Sequence, residues 1–321
     1  MFYRSIFWRR FTATAAFAAL CSAIPAMAAP ADAASCPPQP SPPSRELMQK
    51  AQRQATDRGF LWRISRDGRD SFLYGTIHAG RPEWFALGPR AEASLARTGL
   101  LALEVNVTDP AVLDALRATA QGPARSLPAE LMQSLRSAWA AECLPAAALD
   151  QGAAEYHATL LAVAQAQRQG LFSLYGAESV LLMHSLRAQR PVVGLESVQT
   201  QLSALLARDD EEATTMVREM LAELQRPQAV RSLERLAQAW ASRDLKDLEA
   251  YADWCDCLNT PTDREVFARL VGGRNPGMAE AIERLHAEVS VFAAVGSLHL
   301  VGPQGLPALL ESKGFKISRV F

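Results

Sequence analysis

The chain has 321 residues, 49% hydrophobic and 21% charged, with 18 Gly and 19 Pro, a composition that excludes collagen-like, coiled-coil and mostly disordered proteins. Lys and Arg number 33 against 34 Asp and Glu, a formal charge of −1. No basic excess draws the protein to phosphate backbones, which argues against nucleic acid as a partner, and the length suits one large α/β domain or two small ones.

Met1 to Ala28 reads as a secretory signal: Arg4, Arg9 and Arg10, then the apolar run Phe11 to Leu20, then Ala26-Met27-Ala28, with cleavage expected after Ala28. The run is shorter than the roughly 20 residues of a membrane span, and Leu20 before Cys21 does not suit a lipoprotein signal, so no membrane anchor is expected. The mature protein is expected to be periplasmic or secreted. Loss of the three arginines takes the formal charge from −1 to −4. In an oxidising compartment the remaining Cys36, Cys143, Cys255 and Cys257 point to disulfides. Cys255 and Cys257 sit too close in sequence to favour each other, so each is expected to bond Cys36 or Cys143, in a pairing the spacing leaves open.

Residues 29–44, rich in Ala and Pro, read as an extended linker before a folded region at 45–321. Arg45 to Arg58 suggests a helix. Phe60 to Ile64 and Ser71 to Ile77 flank Asp67-Gly68, a β-hairpin signal. A helix from Gly88 to Arg97 and an apolar strand from Leu100 to Val105 follow. A large helical section, about 109–288, then shows helices at Pro110 to Ala120, Pro128 to Ala141, Ala153 to Gln169 and Ala177 to Gln189. It contains one strand, Pro191 to Leu195, and then a helical block from Ser197 to Leu285 broken near Pro227, Pro261 and Gly272-Gly273. The chain closes with strand Val289 to Val295, a turn through Gly296 to His299, a helix Pro303 to Lys313 and a strand Phe315 to Phe321. The fold class is α/β: a mixed, partly parallel sheet flanked by helices, with a large helical middle section.

Four polar residues fall at or just past the ends of separate strands: His78, Glu104, Glu196 and His299. In open α/β sheets, ligands bind beyond the carboxyl ends of strands, so all four could meet. Two imidazoles and two carboxylates offer ligands for a divalent metal, or an acid/base pair without one. Each of these two histidines ends a Gly-x-x-His turn, Gly75-Thr76-Ile77-His78 and Gly296-Ser297-Leu298-His299. Glu104 follows an apolar run and needs a partner to offset its desolvation, or else caps the next helix. Glu196 and Glu178 each precede or open a helix and could serve its N-terminus alone. Arg274-Asn275, between Gly272-Gly273 and Pro276-Gly277, could hold a substrate carboxylate or carbonyl, or form an ordinary turn. His157, His184 and His286 read as surface or packing residues, and Tyr251 to Trp254 as core. The chain lacks the His-Glu-x-x-His, Gly-x-Ser-x-Gly, phosphate-loop and Gly-x-Gly-x-x-Gly signatures.

The ordered set Phe72-Leu73-Tyr74-Gly75-Thr76-Ile77-His78, Leu103-Glu104, Gly194-Leu195-Glu196-Ser197, Arg274-Asn275-Pro276-Gly277-Met278 and Val295-Gly296-Ser297-Leu298-His299-Leu300-Val301-Gly302 resembles the TraB/GumN family from about Phe60 to Phe321. The family includes PrgY-like proteins and the TIKI metalloproteases. The resemblance implies an α/β fold similar to erythromycin esterase and a divalent-metal hydrolase site on His78, Glu104 and His299, with Glu196, Arg274 and Asn275 in support. Leu298 departs from the small residues common in the second motif. The expectation is a metal-dependent hydrolase of peptide bonds using Mn²⁺, Co²⁺ or Zn²⁺. The competing expectation is a binding or regulatory protein that captures a peptide or envelope component in the same cleft.

Overall fold

The computed structural model describes residues 36–321; the expected signal sequence and the first part of the expected linker lie outside the described residues. Six strands form one sheet: β1 (Phe60–Arg66), β2 (Arg69–Thr76), β3 (Leu100–Leu103), β4 (Val192–Gly194), β5 (Val291–Gly296) and β6 (Lys316–Arg319), in the spatial order β4-β3-β5-β2-β1-β6. β1 and β2 form the expected hairpin, with Asp67 and Gly68 both at positive φ in the turn. β5 pairs in parallel with β2 and β3, and β3 in parallel with β4, so the carboxyl ends of β2, β3, β4 and β5 share one edge. β1 runs antiparallel to β2 and to the closing strand β6.

The central strands are apolar because both faces are covered. Val291 to Val295 of β5 and Leu101 and Ala102 of β3 have no exposed surface, as befits a parallel sheet between helical layers. Leu100 to Leu103 is the paired part of the expected Leu100 to Val105 strand. Beyond it the chain turns toward β4, with the Leu195 and Glu196 amides donating to the Leu103 and Glu104 carbonyls.

The four helices expected before β4 form at Pro110–Gln121, Ala129–Ala141, Ala154–Arg168 and Ala177–Arg187. The helical half builds a core of its own from Leu135, Trp139, Leu161, Val217 and Leu221. The expected Arg45 to Arg58 helix stops at Arg53. Asp57 instead leaves the helix to cap Pro89–Ala96, its Oδ1 accepting from the Arg90 and Ala91 amides at 2.9 and 3.1 Å. The block after Ser197 is more divided than its prolines and glycines suggest: Val198–Leu205, Asp210–Leu224, Pro227–Ser242, Leu245–Glu249, Tyr251–Trp254, Pro261–Leu270 and Asn275–Glu288. One additional break turns on Arg243 in the left-handed region, φ 65°.

The disulfides differ from expectation. Cys36 bonds Cys143, and Cys255 bonds Cys257. The short bridge forms because Asp256 takes a left-handed conformation, φ 52°, which brings the flanking Cα atoms to 5.1 Å. Residues 37–44 carry no helix or strand, and they are fastened by the Cys36–Cys143 bridge and by the Tyr175 hydroxyl donating to the Ser41 carbonyl at 2.6 Å. The Tyr251–Trp254 segment does not enter a core as expected. Tyr251 stacks on Phe267, and Arg235 lies over the Trp254 ring, in a partly exposed aromatic cluster. Among the described residues no helix is long and apolar enough to cross a membrane.

Candidate functional site

The two Gly-x-x-His turns lock together at the shared strand edge. Thr76 and Gly296 are register partners, and the Ser297 hydroxyl donates to the Thr76 carbonyl at 2.7 Å. Gly75 has no room for a side chain: a Cβ there would meet Leu300 Cδ1 at 2.5 Å and Ser297 Oγ at 2.9 Å. The first glycine therefore lets the second turn sit directly on β2.

Gly296 marks the centre of the cluster. A Cβ on this residue would stand 3.3 Å from Glu104 Oε1, 3.6 Å from His299 Cδ2 and 3.7 Å from His78 Nε2. The structure thus brings His78, Glu104 and His299 around one point, although the chain separates the two histidines by more than two hundred residues. Glu104 Oε1 accepts the Gly296 amide at 2.7 Å and lies 3.8 Å from His299 Nε2.

Each imidazole is held through Nδ1 by a different partner. His78 Nδ1 lies 2.9 Å from Glu178 Oε1, which also accepts from the Thr76 hydroxyl. His299 Nδ1 lies 2.6 Å from Asn275 Oδ1, while the Asn275 amide nitrogen donates to the Gln304 carbonyl at 2.7 Å. In the neutral form of each ring these bonds favour the proton on Nδ1 and leave Nε2 unprotonated.

Burial opposes ionisation of Glu104, but His299, His78, Arg274 and the Gly296 amide outweigh it and hold the carboxyl at about 2. The Glu178 carboxylate raises His78 to about 9. Burial, aided by Arg274, lowers His299 to about 4. The two rings differ in access as well: the His78 side chain is 74% exposed and that of His299 6%.

Arg274 and Asn275 are turned inward. All three guanidinium nitrogens of Arg274 have partners: Nε on Glu196 at 3.1 Å, Nη1 on the Leu270 carbonyl at 2.9 Å, and Nη2 on both Glu104 and Glu196. Asn275 is fully committed to His299 and Gln304. The donors expected to grip a substrate carboxylate or carbonyl here brace Glu104, Glu196 and His299. Glu196 serves as the second carboxylate of the Arg274 clamp; the N-terminus of the following helix is capped by Ser197, whose Oγ accepts the Thr200 amide at 3.1 Å.

Glu178 was legible only as a helix opener, and the structure gives it the His78 contact. Gln201, which reaches toward Glu104 at 3.5 Å, carried no motif at all. His286 packs away from this edge, with Nδ1 2.7 Å from the Ser71 hydroxyl, and His157 is buried with Nε2 2.6 Å from the Gln151 carbonyl.

The sheet and its histidine–carboxylate edge define an α/β protein with a cluster of His and Glu side chains at the carboxyl ends of parallel strands. The TraB/PrgY/gumN family model matches residues 60–319, and the chain belongs to that family. No curated protein and no solved structure matches it.

Proposed function

We propose that the protein is an exported, metal-dependent hydrolase of peptide bonds. The observation that carries this reading is the convergence of His78, His299 and Glu104 around Gly296.

The donor set fits a divalent cation. In the neutral form both rings offer Nε2, tethered from behind through Nδ1, which is the usual arrangement for histidine ligands, and an ion would displace the proton that Glu178 favours on His78. The 3.8 Å between His299 Nε2 and Glu104 Oε1 is a separation that two ligands, each about 2.1 Å from one ion, can span. Glu104 and Glu196 share the Arg274 guanidinium and Glu178 pairs with His78, so with both imidazoles neutral three carboxylates stand against one guanidinium and leave negative charge that a cation would balance. Among the described residues no group of three or more His, Cys, Asp or Glu already stands at ligating separation, so His78, Glu104 and His299 would draw closer to hold the ion. When bound, a divalent ion supplies Lewis-acid polarisation of a carbonyl. The chain's own residues do the rest: Asn275 and Glu178 aim the rings, and Arg274 keeps Glu104 ionised.

A second reading draws on the unlike partners of the two rings. Glu178 favours a charged His78 and burial favours a neutral His299, so one could donate and the other accept a proton without a metal. Export is supported by the Met1–Ala28 signal pattern and by two disulfides, which suit an oxidising compartment.

The test is a peptide-library digest with Mn²⁺, Co²⁺ or Zn²⁺, repeated in chelator. Chelator-sensitive cleavage that is lost in His299→Ala supports the metal hydrolase. Chelator-resistant cleavage moves the assignment to the acid/base reading, and peptide binding without turnover moves it to a capture protein.

A further inference from the structure

The two disulfides differ in what they hold. Cys36–Cys143 closes 107 residues of chain and joins the N-terminal segment to the helical half. Cys255–Cys257 closes a ring across a single intervening residue. In a chain-entropy account, the fold protects a disulfide to the extent that the disulfide restricts the unfolded chain, and that restriction grows with loop length. The short bridge therefore gains far less protection than the long one. It also requires Asp256 at φ 52°, a conformation that costs an L-residue energy and that an open dithiol could relax.

The surroundings of the short bridge suit thiol exchange. Cys255 is 1% exposed, whereas Cys257 is partly exposed, so an incoming thiolate meets Cys257 Sγ first. Cys255 Sγ, the sulfur that would leave, lies 3.2 Å from the Cys257 amide nitrogen, whose N–H can donate to it. Cys257 Sγ stands 3.4 Å from the Tyr251 hydroxyl. Burial pushes Tyr251 up to about 12, so the phenol keeps its proton and can donate to a thiolate. Each sulfur thus has a hydrogen-bond donor positioned for its reduced form.

We propose that Cys255–Cys257 is a redox-active pair that exchanges with external dithiols, while Cys36–Cys143 is structural. A dithiol's thiolate attacks Cys257 Sγ, forming a mixed disulfide, breaking the Cys255–Cys257 bond and sending its electron pair to Cys255 Sγ. The second thiol of the dithiol, as thiolate, then attacks its own sulfur in the mixed disulfide and releases Cys257. The dithiol is oxidised to a cyclic disulfide, the cysteine pair gains two electrons, and the two thiol protons end on Cys255 and Cys257. The bond is local to the Tyr251–Trp254 and Pro261–Leu270 junction, so its opening leaves the sheet intact.

The test equilibrates mature protein, taken from Ala29, across graded ratios of reduced to oxidised dithiothreitol, traps free thiols by alkylation and maps them by mass spectrometry. Half-opening of Cys255–Cys257 is expected at a ratio at least tenfold lower than that for Cys36–Cys143, with reversible reoxidation and an unchanged circular-dichroism spectrum. Opening of Cys36–Cys143 at the same or a lower ratio would overturn the proposal, as would loss of folded structure when the short bridge alone is reduced.

Discussion

Gly296 is the residue on which the site is most exposed to test. Its φ of −51° is ordinary for any amino acid, so alanine there adds a methyl without backbone strain. That methyl would stand 3.3 Å from Glu104 Oε1 and among both imidazoles. Gly296→Ala is expected to change stability by no more than about 1 kcal/mol while lowering cleavage at least tenfold, read by denaturant unfolding alongside kinetics. The histidines give a second test at this scale. His78 is raised above its ordinary 6.5 to about 9, so its contribution to stability is full below pH 6.5 and is lost as pH rises toward 9. His299 is lowered to about 4, so the folded state binds fewer protons and loses stability as pH falls from 6.5 toward 4. Metal-free protein should therefore be most stable, so far as these two groups govern it, near pH 6.5. Glu178→Gln should bring the His78 midpoint in an NMR titration down toward 6.5, and an unmoved midpoint would remove Glu178 as its cause. His78, Glu104 and His299 were legible because each follows an apolar strand. Glu178 was not, because a carboxylate in the first turn of a helix already has a local explanation.

At the scale of elements, the link between the Asn275–Glu288 helix and the sheet is ionic. Arg274, just before that helix, binds Glu104 after β3 and Glu196 after β4, and all three side chains are buried. Removing the guanidinium would strand two neighbouring carboxylates in a poorly solvated place. Arg274→Leu is expected to cost about 3–5 kcal/mol. Arg274→Lys should recover only part of this, because one ammonium cannot reproduce the forked contact; thermal or urea unfolding of both variants decides the point. Strands were legible from apolar runs and turn residues, and helix ends from Pro110, Pro227 and Pro261. The chain's other turns were less visible. Arg243 enters the left-handed region without a glycine, and Asp57 leaves its own helix to cap another, a tertiary demand that local pattern does not carry.

The whole molecule combines a sheet that carries the candidate site with a helical half that has its own core, and the Cys36–Cys143 bridge fastens the N-terminal segment to that half. The chain-entropy account assigns a loop of about 100 residues roughly 4.7 kcal/mol. Replacing Cys36 and Cys143 with Ser is expected to lower unfolding stability by about 3–5 kcal/mol without abolishing the site, measured by urea unfolding with metal binding as the control. The pairing was unreadable from spacing because the partner of Cys36 is set by where the Ala129–Ala141 helix ends in space. The α/β class and the meeting of the ends of β2 and β5 were readable, since the doubled Gly-x-x-His turn marks those two strand ends. The extra helices carry no such mark. The most direct measurement of the central claim is the metal content of purified protein beside His78→Ala and His299→Ala. One divalent ion per chain in the parent and none in either folded variant is the predicted result; equal metal in all three would contradict it.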